Sequence, residues 1–223
     1  LVPVIFLSPG YYNLPWYDKI ALTDNLSFEP IGNRTDDFFE IPTYVSDEIL
    51  APPVDETEVE KIRVTLGLTS DDFVIGSFAR MEKFQVPFLN VLNDVLARCS
   101  KVKVILAGLN DSSAVQKSLQ QAISMRRAFV LPNSDVHVLG HCLDLGIDTF
   151  PTHSGFSVLE LMAKGIPVVS KRDSQMESLG IWRQRLPELL CMKDVELVDL
   201  ICELAINQKK CAALGSKSKK FTN

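Results

Sequence analysis

From Asp72 to Ser170 the chain alternates short, nearly continuous apolar runs with longer stretches of helical periodicity, and few folds accept that rhythm. FVIGSFA (Phe73 to Ala79), VKVILAG (Val102 to Gly108), VHVLG (Val136 to Gly140), IDTFP (Ile147 to Pro151) and IPVVS (Ile166 to Ser170) are the predicted strands. A strand with one wet face alternates apolar and polar residues, whereas unbroken apolar runs belong to strands covered on both faces. Interleaved with helices, they predict an α/β protein with a doubly wound, Rossmann-like parallel sheet.

The helical stretches complete the pattern. Over Val86 to Cys99, residues Phe88, Val91, Leu92, Val95 and Leu96 recur at intervals of three and four, a stripe that must lie on a sheet. Further helices are expected over Ser112 to Arg127, Glu56 to Leu66 and Val195 to Ile206, with the lysine-rich SKSKKFTN as a frayed tail. Residues 1–53 differ: two short predicted strands (Val2 to Ser8 and Ile20 to Thr23), many prolines and acidic loops end in APPVDE, which reads as a linker. The expected organisation is a partial second domain at 1–53 and a Rossmann-like sheet domain at 54–223. The sequence opens on LVPVIFLSPG without Met, so it is expected to be a piece of a longer chain.

Composition excludes several classes. With 46% hydrophobic residues, 23% charged residues and a net charge of -5, this is an ordinary globular chain, not a disordered or nucleic-acid-coating one. No apolar run reaches the roughly 18 residues of a membrane span, and the opening lacks the basic flank of a signal peptide. Cys99, Cys142, Cys191, Cys202 and Cys211 form no CxxC pair and no evenly spaced framework, so they are expected to be reduced, buried thiols in a cytoplasmic protein.

The stretch FPTHSGFSVLELMAKGIPVVS (Phe150 to Ser170) is the most informative. A strand ending at Pro151, a small-residue turn and a helix starting near Ser157 leave backbone N–H groups open above the sheet. The helix dipole adds roughly half a positive charge there, which makes a phosphate the natural guest. The competing reading is structural: Ser157-Val-Leu-Glu160 fits a capping box, with Gly165 closing the helix. Arg80 and Lys83, in the loop after the first predicted strand, tilt the balance. They fall on the same sheet edge, and two cations facing a helix N-terminus form a diphosphate clamp.

These motifs, FARMEK before a helix, a second strand ending in AG, and IDTFPTHSGFSVLELMAKGIPVVS, resemble the nucleotide-sugar-binding domain of GT-B glycosyltransferases, those built from two Rossmann-like domains. The O-GlcNAc-transferase-like branch is the nearest in pattern, through Phe78, Lys83, Ile147-Asp148-Thr149, Gly155 to Ser157, Glu160 and Gly165-Ile166-Pro167. The resemblance implies a donor-binding C-terminal domain in which Lys83 and the N–H groups of Gly155, Phe156 and Ser157 hold a pyrophosphate. Arg80 would add a second cation, Glu160 would accept from the ribose hydroxyls, and the base would sit near Leu139 to His141 at the end of the third strand. The implied partners are a nucleotide-diphosphate sugar, a UDP-sugar favoured, and a protein or glycan acceptor held by the other domain. No metal, no cofactor, no nucleic acid and no catalytic residue of this chain is implied.

Two departures bear on function. Many relatives carry Glu eight residues before the ribose-binding carboxylate, where this chain has Thr152, and O-GlcNAc transferases carry His-Thr-Thr where it has Gly155-Phe156-Ser157. Main-chain phosphate binding survives both. They also keep open a non-catalytic nucleotide-binding or interaction module with the same fold. A hydrolase built on Ser154 lacks the G-x-S-x-G elbow and a later His. The interval between His137, His141 and Cys142 does not make a zinc site, and neither GxGxxG nor GxxxxGK[ST] occurs. The aromatic cluster Tyr11, Tyr12, Trp16 and Tyr17 is read as a packed loop or, in a two-domain transferase, as part of the lining of the interdomain cleft.

Overall fold

The computed structural model describes residues 5–8, 19–22, 38–40, 47–174, 176 and 185–222. Strands β1 (Ile5–Ser8), β2 (Lys19–Leu22) and β3 (Phe38–Glu40) form a small parallel sheet in that order. The first two meet the expected strands, and β3 is additional. The aromatic cluster at Tyr11 to Tyr17 lies outside the described residues.

The larger sheet begins after two helices, α1 (Asp47–Leu50) and α2 (Glu56–Leu66). Asp55 starts α2 by accepting from the Thr57 N–H at 2.8 Å, and Gly67, at φ 65°, ends it in the left-handed conformation that glycine adopts most cheaply. Then follow β4 (Phe73–Phe78), α3 (Val86–Arg98), β5 (Val102–Gly108), the short helices α4 (Ser113–Ser118) and α5 (Gln120–Ser124), and β6 (Ala128–Pro132). The second half holds α6 (Val136–Gly140), β7 (Leu145–Ile147), α7 (Phe156–Ala163), β8 (Val168–Lys171), β9 (Leu190–Cys191), α8 (Asp194–Ile206) and α9 (Gln208–Thr222).

All the pairings are parallel and the order is β6-β5-β4-β7-β8-β9, so the doubly wound sheet expected from the apolar runs is present. Alternate residues of each strand feed opposite faces. Phe73, Ile75, Val102, Val104 and Leu106 pack with α3 and α8, whereas Val74, Ile105 and Ala107 pack with α6 and α7. On α3 the predicted stripe is fully buried, and each of Phe88, Val91, Leu92 and Val95 contributes about 1.5–3 kcal/mol by leaving water.

Five expectations need correction. VHVLG is α6, not a strand: the Asp135 carboxylate accepts from the N–H groups of His137 and Val138, and that cap outweighs the β-branched valines. The helix expected over Ser112 to Arg127 is two short helices, and the chain goes on to form β6, an edge strand the sequence reading missed. Strand β7 ends at Ile147 and not at Pro151: the Asp148 N–H makes the last bond to β8, to the Val169 carbonyl at 2.9 Å, while its side chain accepts from the Ser154 N–H in the loop that follows. The lysine-rich tail belongs to α9 as far as Thr222; this helix buries Cys211, Leu214 and Ser218 and brings Gly215 so near Gly165 that a Cβ there would meet the Gly165 carbonyl. Lastly, the cysteines are not all reduced. Cys99 at the end of α3 and Cys202 on α8, 103 residues apart, form a disulfide once the two helices pack together; Cys142, Cys191 and Cys211 are free and buried.

Candidate functional site

Strands β4 and β7 are neighbours, yet the chain leaves β4 toward β5 on one side and leaves β7 toward β8 on the other. At such a switch point the two outgoing loops diverge and open a crevice beyond the carboxyl ends of the strands, where ligands of open α/β sheets bind. The loop after β4 carries Arg80 and Lys83, and the loop after β7 is the turn Asp148 to Gly155.

Across that crevice the two loops touch. Lys83 lies at the end of a 3₁₀ turn, Met81–Lys83, and its Nζ donates to the His153 carbonyl at 2.7 Å. An ammonium has three protons, so one bond here leaves two for another acceptor. Burial lowers the Lys83 pKa, as does Arg80, while Asp148 and Glu82 oppose them. Arg80 is exposed, and its Nε lies 3.3 Å from the Glu82 carboxylate.

The β7–α7 turn is organised by a buried carboxylate. Asp148 Oδ1 accepts from the Ser154 N–H at 2.8 Å; Oδ2 accepts from Arg185 Nη2 at 3.1 Å and from the Ser170 hydroxyl at 3.4 Å. The same Arg185 nitrogen donates to the Ser154 carbonyl at 3.3 Å. His153 stands between two acids, with Nε2 at 2.9 Å from Asp173 Oδ1 and Nδ1 at 3.4 Å from Asp148 Oδ2. Burial alone would lower the imidazole pKa, but bonding and attraction to Asp148 and Asp173 outweigh it and raise the value. Phe150 anchors the turn from below, edge-on to Phe88 of α3 at 5.6 Å.

Helix α7 starts two residues earlier than the capping-box reading requires. Gly155 is the N-cap, no side chain caps the helix, and Ser157 is already its second residue. The structural alternative for Ser157 and Glu160 is therefore not what is built. Among the described residues, no protein acceptor is found for the N–H groups of Gly155, Phe156 and Ser157, and the space in front of Gly155 is open within 4 Å of a built Cβ. Phe156 is 54% exposed, and Glu160 is half-buried one turn further along.

The structure thus brings Lys83, Arg80 and the start of α7 to one sheet edge. Leu139 lies on a helix and not at the end of a strand, and its side chain is 2% exposed within the core beneath α7, which leaves only its main chain for a base. The carboxyl end of the third strand of this half is instead Pro132, followed by Asn133 to Asp135.

Residues that sequence reasoning gave no role stand at the centre: Asp148, Arg185, His153 and Asp173. Asp148 left one signal, a carboxylate at the end of an apolar strand, which demands a partner. Arg185 left none, since it comes from 37 residues downstream. The same geometry removes Ser154 as a nucleophile. Thr149 spends its hydroxyl proton on the Thr152 carbonyl at 2.7 Å, so across the 2.9 Å contact between the two hydroxyls Ser154 is the donor, and its oxygen is buried.

No protein-family model matches the sequence, and no curated protein does either. Solved structures do. HepE of Anabaena, in complex with UDP, superposes with a TM-score of 0.74 at 19% identity over 99% of this chain. A glycosyltransferase from Rickettsia africae gives 0.76 at 14% over 98%, and a mutant O-GlcNAc transferase from Thermobaculum terrenum gives 0.61 at 19% over 92%. The chain spans 67%, 65% and 41% of those three chains respectively. The fold is that of the GT-B glycosyltransferases. Among the described residues no helix is long and apolar enough to cross a membrane.

Proposed function

We propose that this chain is the donor-binding part of a glycosyltransferase and holds a nucleotide-diphosphate sugar at the β4–β7 switch point. The observation that carries this reading is the contact of Lys83 Nζ with the His153 carbonyl, which joins a cation to the open amide end of α7 across one crevice. Lys83 and the N–H groups of Gly155, Phe156 and Ser157 bind the diphosphate, Arg80 swings from Glu82 to add a second cation, and Glu160 takes the ribose hydroxyls. Fixed positive charge at the leaving diphosphate stabilises bond breaking without reorganisation. HepE has been crystallised with UDP and with UDP-glucose, which supports a UDP-sugar as donor.

On this reading residues 54–223 form the donor domain, and residues 1–53 belong to an acceptor-side domain that binds a protein or glycan and supplies the catalytic base. One observation favours a second reading, a nucleotide-binding module without transfer. Thr152 stands where many relatives place a sugar-contacting Glu, and its hydroxyl accepts from Gln85 Nε2 at 3.2 Å. Calorimetric titration of UDP, UDP-glucose and UDP-N-acetylglucosamine, followed by assay of sugar release, separates the two. Binding with release supports the transferase, and binding without release in a chain that includes the acceptor-side domain supports the module. Absence of any UDP binding overturns both.

A further inference from the structure

Two consecutive peptide planes at the turn are gripped on both edges. In a trans peptide the C=O and the following N–H point in opposite directions. In the His153–Ser154 plane, the carbonyl accepts from Lys83 Nζ at 2.7 Å and the N–H donates to Asp148 Oδ1 at 2.8 Å, so that plane is held between a cation and an anion. In the Ser154–Gly155 plane, the carbonyl faces the buried Arg185 guanidinium at 3.3 Å. Its other edge, the Gly155 N–H, must then point away from Arg185, and among the described residues no protein acceptor meets it.

We infer that Asp148 and Arg185 are positioning residues, which lock these two peptide planes so that the Gly155 N–H is aimed outward at an incoming phosphoryl oxygen before any ligand arrives. The pair is built for rigidity. Their side chains are 0% and 1% exposed, and a single guanidinium nitrogen serves both the Asp148 carboxylate and the Ser154 carbonyl. Arg185 lies just before the 3₁₀ turn Pro187–Leu189 that leads into β9, two strands away from β7, so the aim of the amide is set by the far half of the sheet. Donors held in place before the charge arrives bind it without an ordering cost, which is the general source of preorganised anion sites.

This inference rests on the diphosphate reading, and its test keeps the two apart. UDP and uridine are titrated into the full chain and into its Arg185→Gln and Arg185→Lys variants, with melting followed in parallel. A positioning role predicts that Arg185→Gln weakens UDP by about tenfold or more, in line with the loss of one aimed donor, and changes uridine, which has no phosphate, by less than about twofold. Arg185→Lys keeps the charge but not the fork and falls between. Equal weakening of UDP and uridine, or none, overturns the inference. If Arg185→Gln does not fold, Arg185→Lys decides, and an unchanged ratio of UDP to uridine affinity overturns it. If the wild-type chain binds neither UDP nor inorganic pyrophosphate, the functional reading falls, and the aim of the amide is judged by hydrogen exchange alone. Gly155 exchange as fast as an open loop amide supports the outward aim, and protection overturns it.

Discussion

Lys83 and His153 are 70 residues apart in sequence and meet at 2.7 Å, ammonium on main-chain carbonyl, across the switch point of the sheet. Removing the cation leaves the carbonyl to water and the crevice without its nearest fixed charge. Lys83→Met is expected to weaken UDP binding by about tenfold or more while changing uridine little, because charge-assisted bonds to phosphate contribute about 1.5–3 kcal/mol each. Isothermal titration of both ligands checks this, and unchanged UDP affinity would remove Lys83 from the site.

Asp148 offsets the buried charge of Arg185 and satisfies the Ser154 N–H. Asp148→Ala strands both, and breaking a buried pair from one side costs about 3–5 kcal/mol. Urea denaturation is expected to show a loss of that order, with Asp148→Asn, which keeps an oxygen for the amide, losing less. A change under about 0.5 kcal/mol, typical of surface sites, contradicts the central place given to this carboxylate.

His153 links folding to pH. Its folded pKa is raised above the unfolded value by Asp148 and Asp173, so its contribution is complete below about pH 6.5, the unperturbed imidazole value, and is lost as pH rises through the folded one. Stability is therefore expected to fall over that window in the wild-type chain, and the fall to be smaller in His153→Gln. Melting temperatures measured from pH 6 to pH 9 report it; parallel curves for the two proteins refute the assignment.

Gly108 closes β5 against the loop that carries Arg80 and Lys83, and a Cβ built there would come within 1.7 Å of the Ala79 carbonyl oxygen. Backbone on backbone cannot yield as a side-chain tip does. Gly108→Ala is expected to destabilise by about 1–3 kcal/mol, the usual cost of overpacking, and to displace the Lys83 loop. Loss of UDP affinity at a temperature where circular dichroism shows a folded protein is the expected outcome.

Ser157 shows where sequence reasoning stops. Its S-x-x-E spacing matches a capping box, and replacing a true cap with Ala costs about 1 kcal/mol. With Gly155 as the cap and Ser157 inside the helix, Ser157→Ala is expected to shift stability by less than about 0.5 kcal/mol. A cap and a second helical position differ by two residues, and local spacing does not separate them, because the choice depends on how Asp148 draws the preceding peptide inward.

Apolar runs and the α3 stripe sufficed to name the sheet, since a strand covered on both faces and a helix covered on one leave periodicities of their own in any chain. Lys83, Arg80 and the Gly155 turn could also be found there, because a small-residue turn and loop cations are local features. Asp148 and Arg185, the bond between Cys99 and Cys202, and the conversion of VHVLG from strand to helix lay beyond it. Each depends on partners across the fold or on an aspartate's cap geometry. A buried charge or thiol is defined by what meets it, and only packing decides which distant residues meet.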